Sequence, residues 1–296
     1  MSEAALTGRG AGGARRRLSA ALFRRPWAKL AFLLGPPLLW MAVVYLGALV
    51  LLLMTAFWRL DPLSSALVRD WNLENFHTLV TGSVYRIITM RTVGMAAAVT
   101  ATDIVLAFPL AYYAARMLTP RRRAALLLAV TVPLWSSYLV RIFAWKTILA
   151  GDGLFEQIFK VNLGSSNWAV WLTFVYLWLP FVILPIHAAL ERVPASYLEA
   201  SSDLGARGWL TFRQVVLPLV LPGVVAGSIF SFSLTLGDYI VPTLVGKGLF
   251  IGNVVYNYVS GLSNQLPLGA AFALVPAAIM AAYLFVARRL GAFEAL

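Results

Sequence analysis

Cysteine is absent from the 296 residues and histidine nearly so, with only His77 and His187 far apart in the chain. A disulfide framework, a thiolate metal site and a local histidine ligand motif are therefore all excluded. Charge is also scarce. Charged residues make up 12% of the chain, about half the ~25% usual for a soluble domain. Acids are scarcer than bases, 12 against 24, which leaves a net charge of +12. The signatures of hydrolytic and nucleotide-binding enzymes are missing as well: there is no HExxH and no GxSxG, and Gly246-Lys247 lacks both the upstream glycine and the following Ser/Thr of a phosphate-binding loop. Gly8, Gly10 and Gly13 satisfy G-x-G-x-x-G in spacing only, because no strand precedes them and no amphipathic helix follows. The chain is expected to be no enzyme, to hold no metal or cofactor, and to leave any ATP to another protein.

What fills the space is apolar surface. Hydrophobic residues make up 60% of the chain and the mean hydropathy is +0.80, values that describe a polytopic membrane protein. Residues 1–29 form a Gly/Ala/Arg tail with a composition that cannot support a core, and disorder is expected there. The apolar run 30–58 is too long for the core of a cleaved signal peptide and reads as the first transmembrane helix. An extracytoplasmic segment follows at 59–91, then apolar runs at about 92–115, 124–146, 168–190, 219–242 and 268–287, giving six spans in an all-α protein. Residues 92–290 are taken as a five-helix core containing a cytoplasmic loop at 191–218. Most of the 24 basic residues fall in the tail, the 116–123 turn, the 191–218 loop and the end of the chain. The positive-inside rule then puts both termini and that loop in the cytoplasm. This placement around apolar segments accounts for the basic excess without nucleic acid.

The 191–218 loop is the most informative stretch. Pro194 suits a first helical turn, Tyr197, Leu198, Ser201 and Leu204 recur at helical spacing, and Gly205 supplies the stop. A second helix carries Trp209, Phe212, Val215 and Val216 on one side and is expected to end where Pro218 opens the next apolar segment. Glu199-Ala200-Ser201, three residues, Gly205, nine residues, then Val215-x-Leu217-Pro218 resembles the EAA loop of bacterial ABC-importer permeases, E-A-A-x3-G-x9-I-x-L-P. Ser201 replaces alanine and Val215 replaces isoleucine. The resemblance implies a coupling helix docking in a groove of a cytoplasmic ATPase, with Glu199, Ala200, Ser201, Gly205, Trp209, Phe212, Leu217 and Pro218 as coupling residues. Trp209 and Phe212 are expected to lack internal cover, and Ser201→Ala, which restores the family residue, to be nearly silent.

Further stretches resemble the PotB-type permeases for spermidine and putrescine: Pro133-Leu-Trp-Ser-Ser-Tyr-Leu-Val-Arg141-Ile-Phe-Ala-Trp145, Phe108-Pro109-Leu110-Ala111-Tyr112, and Ser231-Phe-Ser-Leu-Thr-Leu-Gly237-Asp238-Tyr239. The resemblance implies a type I importer permease with a MetI-like fold in a bacterial inner membrane. It would act with an ABC ATPase dimer, a second permease that is a paralogue, and an extracytoplasmic solute-binding protein. Its solute would be a polyamine or a related small molecule.

Charges within spans need a reason, since hydrocarbon penalises them. Asp103 lies roughly 18 Å into a core about 30 Å thick, and reads either as part of a cation path or as a buried acid satisfied by a proton, by Thr100 and Thr102, or by another helix. Arg141 and Asp238 sit near the outer ends of their spans, where they either pair or snorkel to the interface. Asp238 with Tyr239, Tyr138, Trp135 and Trp145 offers a carboxylate and aromatic faces to an ammonium group, although aromatics at that depth also serve as belt anchors. A second class stays in view, an ion-coupled secondary transporter or channel using Asp103 or Asp238. It predicts internal repeats, and none is visible.

Overall fold

The computed structural model describes residues 26–289 apart from 62, 63, 65, 261, 262 and 264. Most of the basic tail expected to be disordered therefore lies outside the described residues. Two compact units divide at Thr55 and Ala56. The first holds α1 (Pro26–Met41), a π turn (Ala42–Leu46) and α2 (Gly47–Thr55). Helix thus already covers the last four residues of the expected tail and ends three residues short of Trp58. Thr55 Oγ1 donates back to Leu52 O at 2.7 Å in the last turn.

The second unit opens with a departure from an all-α chain: a two-stranded antiparallel ribbon, β1 (Arg59–Leu60) with β2 (Leu67–Val68), followed by α3 (Glu74–Thr81). Asn75 Nδ2 donates to Ala56 O and Trp58 O at 2.8 and 2.7 Å, and Phe57 packs against Trp71 and Phe76. The long helices are α4 (Ser83–Arg116), the pair α5 (Pro120–Thr131) and α6 (Tyr138–Leu149), then α7 (Leu154–Phe159) and α8 (Asn167–Arg192). They continue with α9 (Ala195–Asp203), α10 (Gly208–Thr211), α11 (Leu217–Gly237), α12 (Ile240–Val245), α13 (Ile251–Val259) and α14 (Leu266–Arg289). Among the described residues five helices are long and apolar enough to cross a membrane, and six spans result if the bent pair counts as one.

That pair corrects the expected straight span at 124–146. After Thr131 a single 3-10 turn (Val132–Trp135) leads to an extended Ser136 and Ser137, and the helices on either side meet at 94°. Pro133 has no N–H to give and disfavours helix in the residue before it. Ser136 Oγ donates to the Pro133 carbonyl at 2.7 Å, which satisfies one of the acceptors freed by the break.

Helix α8 is the centre. Its buried face runs from Ala169 through Phe174, Trp178, Val182 and Ile186 to Leu190. Helix α4 meets it with small residues one turn apart, Ala107 and Ala111, which pack with Val182, Ile183 and Ile186, while Ala96 of α4 packs with Phe232 and Leu236 of α11. Helix α11 approaches closer still. A Cβ on Gly223 would stand 2.5 Å from Ala189 Cβ and 2.7 Å from Pro185 O, and one on Gly227 would stand 3.0 Å from Val182 Cα. Gly223 and Gly227 are one helical turn apart, the small-xxx-small spacing that lets helix backbones touch where no hydrophobic effect drives them together.

Gly227→Leu is therefore expected to force α8 and α11 apart at a cost of about 1–3 kcal/mol or more. Gly237→Leu should be close to neutral, because nothing lies within 4 Å of its Cβ position. Thermal unfolding of the detergent-solubilised protein checks this; equal midpoints for the two variants would show that the crossing is not glycine-dependent.

Candidate functional site

One end of α8 carries an elbow. Only Val193 and Pro194 separate α8 from α9, and Pro194 is the N-cap rather than a first-turn residue. Helix α9 stops in a turn made by Gly205, whose φ is +78° and whose N–H donates to Ser202 O at 2.9 Å; the Ala206 N–H reaches Ser201 O at 3.1 Å. Left-handed backbone of this kind favours glycine, as the spacing suggested. The chain then enters α10, a π turn (Phe212–Val216) and α11 without interruption, one helix from Gly208 to Gly237. Pro218 therefore does not end the second helix, contrary to expectation. It lies in the first turn of α11, beside the π turn, where the change of hydrogen-bond register tolerates a residue without an N–H.

The elbow's apolar side chains are divided. Leu204 and Trp209 are 88% and 71% exposed, and Glu199 and Ala200 are exposed as well. Phe212 is not bare: its ring packs edge-on against Phe108 of α4 at 5.3 Å and stacks on Trp209 at 5.4 Å. Ser201 is buried and shares a 2.9 Å hydrogen bond with Thr211 across the turn. Its replacement by alanine removes that link, so Ser201→Ala is expected to loosen the turn rather than to be silent. Between the arms runs a groove of about 420 Å³ lined by Tyr197, Ser201, Leu204, Leu210 and Gln214. Leu217 is partly exposed at the base of α11.

At the far end of α11 the helix stops at Gly237, earlier than the expected 242, and Asp238 explains why. Its Oδ1 accepts the N–H groups of Ile240 and Val241 at 2.7 and 2.9 Å, so the carboxylate starts α12. Its Oδ2 accepts the Tyr138 hydroxyl. Tyr138 is the first residue of α6 after the break, and its ring stacks on Trp178 of α8 at 5.9 Å. Arg141 and Asp238 do not form an ion pair among the described residues. The Arg141 guanidinium instead lies 5.9 Å from the Tyr138 ring centroid, with a buried Nε that has no partner. The rest of the expected cluster disperses: Tyr239 stacks on Tyr256 at 4.4 Å, Trp145 packs on Tyr176 at 5.2 Å, and Trp135 stands 78% exposed beside the break. Trp178 was not anticipated, because a tryptophan on an apolar span carries no local signal of its neighbours.

Asp103 is completely buried in α4. Its Oδ2 accepts from Ser231 Oγ of α11 at 2.6 Å, Ser231 in turn accepts from Thr100 at 3.4 Å, and Oδ1 has no partner. Thr102 turns outward to the Ala98 carbonyl.

Long apolar helices around a proline-bearing central helix, with an elbow projecting from one end, define a polytopic membrane protein. The chain belongs to the family of binding-protein-dependent transport system inner membrane components, whose profile matches residues 107–293. It is 44% identical to the inner membrane ABC transporter permease protein YdcU of Escherichia coli (strain K12), over 95% of each chain. It is 30% identical to the spermidine/putrescine transport system permease protein PotB of Haemophilus influenzae, over 72% of this chain and 77% of that one. A bacterial alginate ABC transporter, solved in complex with its alginate pentasaccharide-bound periplasmic protein, has a chain that matches with a TM-score of 0.73. That match covers 93% of this chain and 98% of the other at 15% identity, a likeness of fold. The protein is thus a permease subunit of a binding-protein-dependent ABC importer, a transport subunit and not an enzyme.

Asp238→Ala is expected to lose the α12 cap at a cost of about 0.5–2 kcal/mol, whereas Asp238→Asn keeps an acceptor for both N–H groups and should unfold near the parent temperature. Tyr138→Phe leaves the half-buried Oδ2 without its hydroxyl partner, a penalty of about 1 kcal/mol. Thermal unfolding of the three variants decides; an Asp238→Ala protein as stable as Asp238→Asn would remove the cap from the account.

Proposed function

We propose that the elbow from Ala195 to Val216 is the docking element for a cytoplasmic ABC ATPase dimer, and that the permease imports polyamines or a closely related small solute. The observation that carries the first part is the elbow itself: two helical arms held by Gly205 at φ +78°, presenting Leu204 and Trp209 to a partner. Short amphipathic helices of this kind bind by laying apolar anchors in a groove. Glu199, Ala200, Ser201, Gly205, Trp209, Phe212, Leu217 and Pro218 then have separable duties. Leu204, Trp209 and the exposed Glu199 and Ala200 meet the ATPase; Ser201, Gly205 and Phe212 hold the arms; Leu217 and Pro218 begin the rod that transmits the movement.

The elbow lies in the cytoplasm with both termini, as the distribution of basic residues favours. The partners are a second, paralogous permease alongside and a solute-binding protein on the outer side. ATP-driven closure of the ATPases moves the elbows and swings the spans from inward-open to outward-open. The polyamine reading draws on the PotB relatives and on the Tyr138, Trp178 and Asp238 group, which offers a carboxylate between aromatic faces. An ammonium group entering there competes with the Tyr138 hydroxyl for Asp238 Oδ2. Arg141 borders this path through the Tyr138 ring, while Asp103 is spent on holding α4 to α11.

The test is Gly205→Val. No atom lies within 4 Å of the Cβ position, so the cost is backbone strain of about 1–3 kcal/mol. The six-span subunit should still insert, but the ATPase should no longer co-purify and uptake should stop. A Gly205→Val complex that retains its ATPase and transports normally would end the docking assignment.

A further inference from the structure

We propose that Arg116 and Arg123 form a clamp that delivers movement of the elbow helix α9 to α4 and α5. The proposal rests on the reading of the elbow as the ATPase-docking element. Arg116 is the last residue of α4, and its Nη2 donates to Leu190 O at 2.9 Å and Val193 O at 2.8 Å. The first carbonyl belongs to the last turn of α8 and the second to the two-residue joint between α8 and α9. Arg123, in the first turn of α5, donates from Nε to Ala114 O at 3.1 Å and from Nη2 to Ala115 O at 3.0 Å, the closing carbonyls of α4. Its Nη1 pairs with Glu191 Oε1 at 2.5 Å. Glu191 also faces His187 Nδ1, 3.7 Å away.

Carbonyls at the end of a helix have no partner within it, and positive charge is favoured there. Two guanidinium groups therefore gather the ends of three helices at the joint from which the elbow starts. The joint has little freedom of its own. Pro194 locks its φ, Val193 is held extended, and the Val193 side chain is buried. A displacement of α9 thus reaches the Val193 carbonyl, Arg116 and α4, and through Glu191 and Arg123 reaches α5. Helix α5 runs directly to the break at Ser136 and Ser137, and beyond it Tyr138 holds Asp238. The clamp is the near end of a continuous line of contacts leading to the far cluster. Contiguity alone does not demonstrate coupling, so the test must read movement.

The chain lacks cysteine, so Ser137→Cys adds a single thiol at an exposed position whose side chain caps nothing. In the full complex, the rate of maleimide modification at this thiol is compared between the nucleotide-free state and the state trapped with ATP and vanadate. A shift in rate is expected with the parent arginines. Arg116→Gln should abolish it while the ATPase stays bound and still hydrolyses ATP, and Arg116→Lys, which keeps the charge, should restore part of it. If Arg116→Gln does not assemble, Arg123→Gln is read by the same criterion. An undiminished shift in the glutamine variant overturns the clamp, as does the absence of any shift in a parent complex that holds its ATPase. A parent chain that fails to co-purify an ATPase would instead overturn the docking assignment.

Discussion

The close crossing of α8 with α4 and α11 is the constraint on which the second unit depends. In a bilayer, apolar side chains gain nothing by leaving lipid for protein, so helices associate through dispersion contacts and a few polar links. Both require short distances. Glycines 223 and 227 and the alanines of α4 provide them, and the prolines of α8 are accommodated because neighbouring helices enclose it. Larger residues on these faces would move the elbow and the far cluster together, since both are attached to the ends of the same helices.

Polar groups sit at several of the places where regular helix gives out. Asp238 closes α11 by opening α12, Ser136 takes the carbonyl left over at the 94° break, and Gly205 turns α9 back. Arg116 and Arg123 cover the carbonyls of α8 and α4. Within the spans the rule is the same: Asp103 is tolerated through Ser231, with Thr100 behind it. At Asp238 one carboxylate both starts a helix and accepts the hydroxyl of a tyrosine stacked on Trp178.

Much was legible in the sequence because the relevant signals are local. Apolar runs long enough to cross a bilayer mark themselves, and the left-handed turn at Gly205 and the two-arm elbow follow from residues within one short stretch. The glycine spacing at 223 and 227 is local too, but that it meets α8 at Ala189, Pro185 and Val182 came only from the packing. The bend after Thr131 had its proline and paired serines in view, but apolar continuity masked it, since hydropathy does not distinguish a straight span from a broken one.

By itself, then, the sequence determined the membrane class, the family, the approximate spans and the form of the elbow, all of which arise from residues that are neighbours in the chain. Tertiary structure alone decided that Phe212 is covered by Phe108, that Asp238 meets Tyr138 rather than Arg141, and that Arg116 grips the joint ahead of α9. These partners are separated by 77 to 104 residues. Periodicity and spacing encode which face of a helix is apolar, whereas which side chain stands opposite is fixed only when backbones pack to within a methyl group of one another.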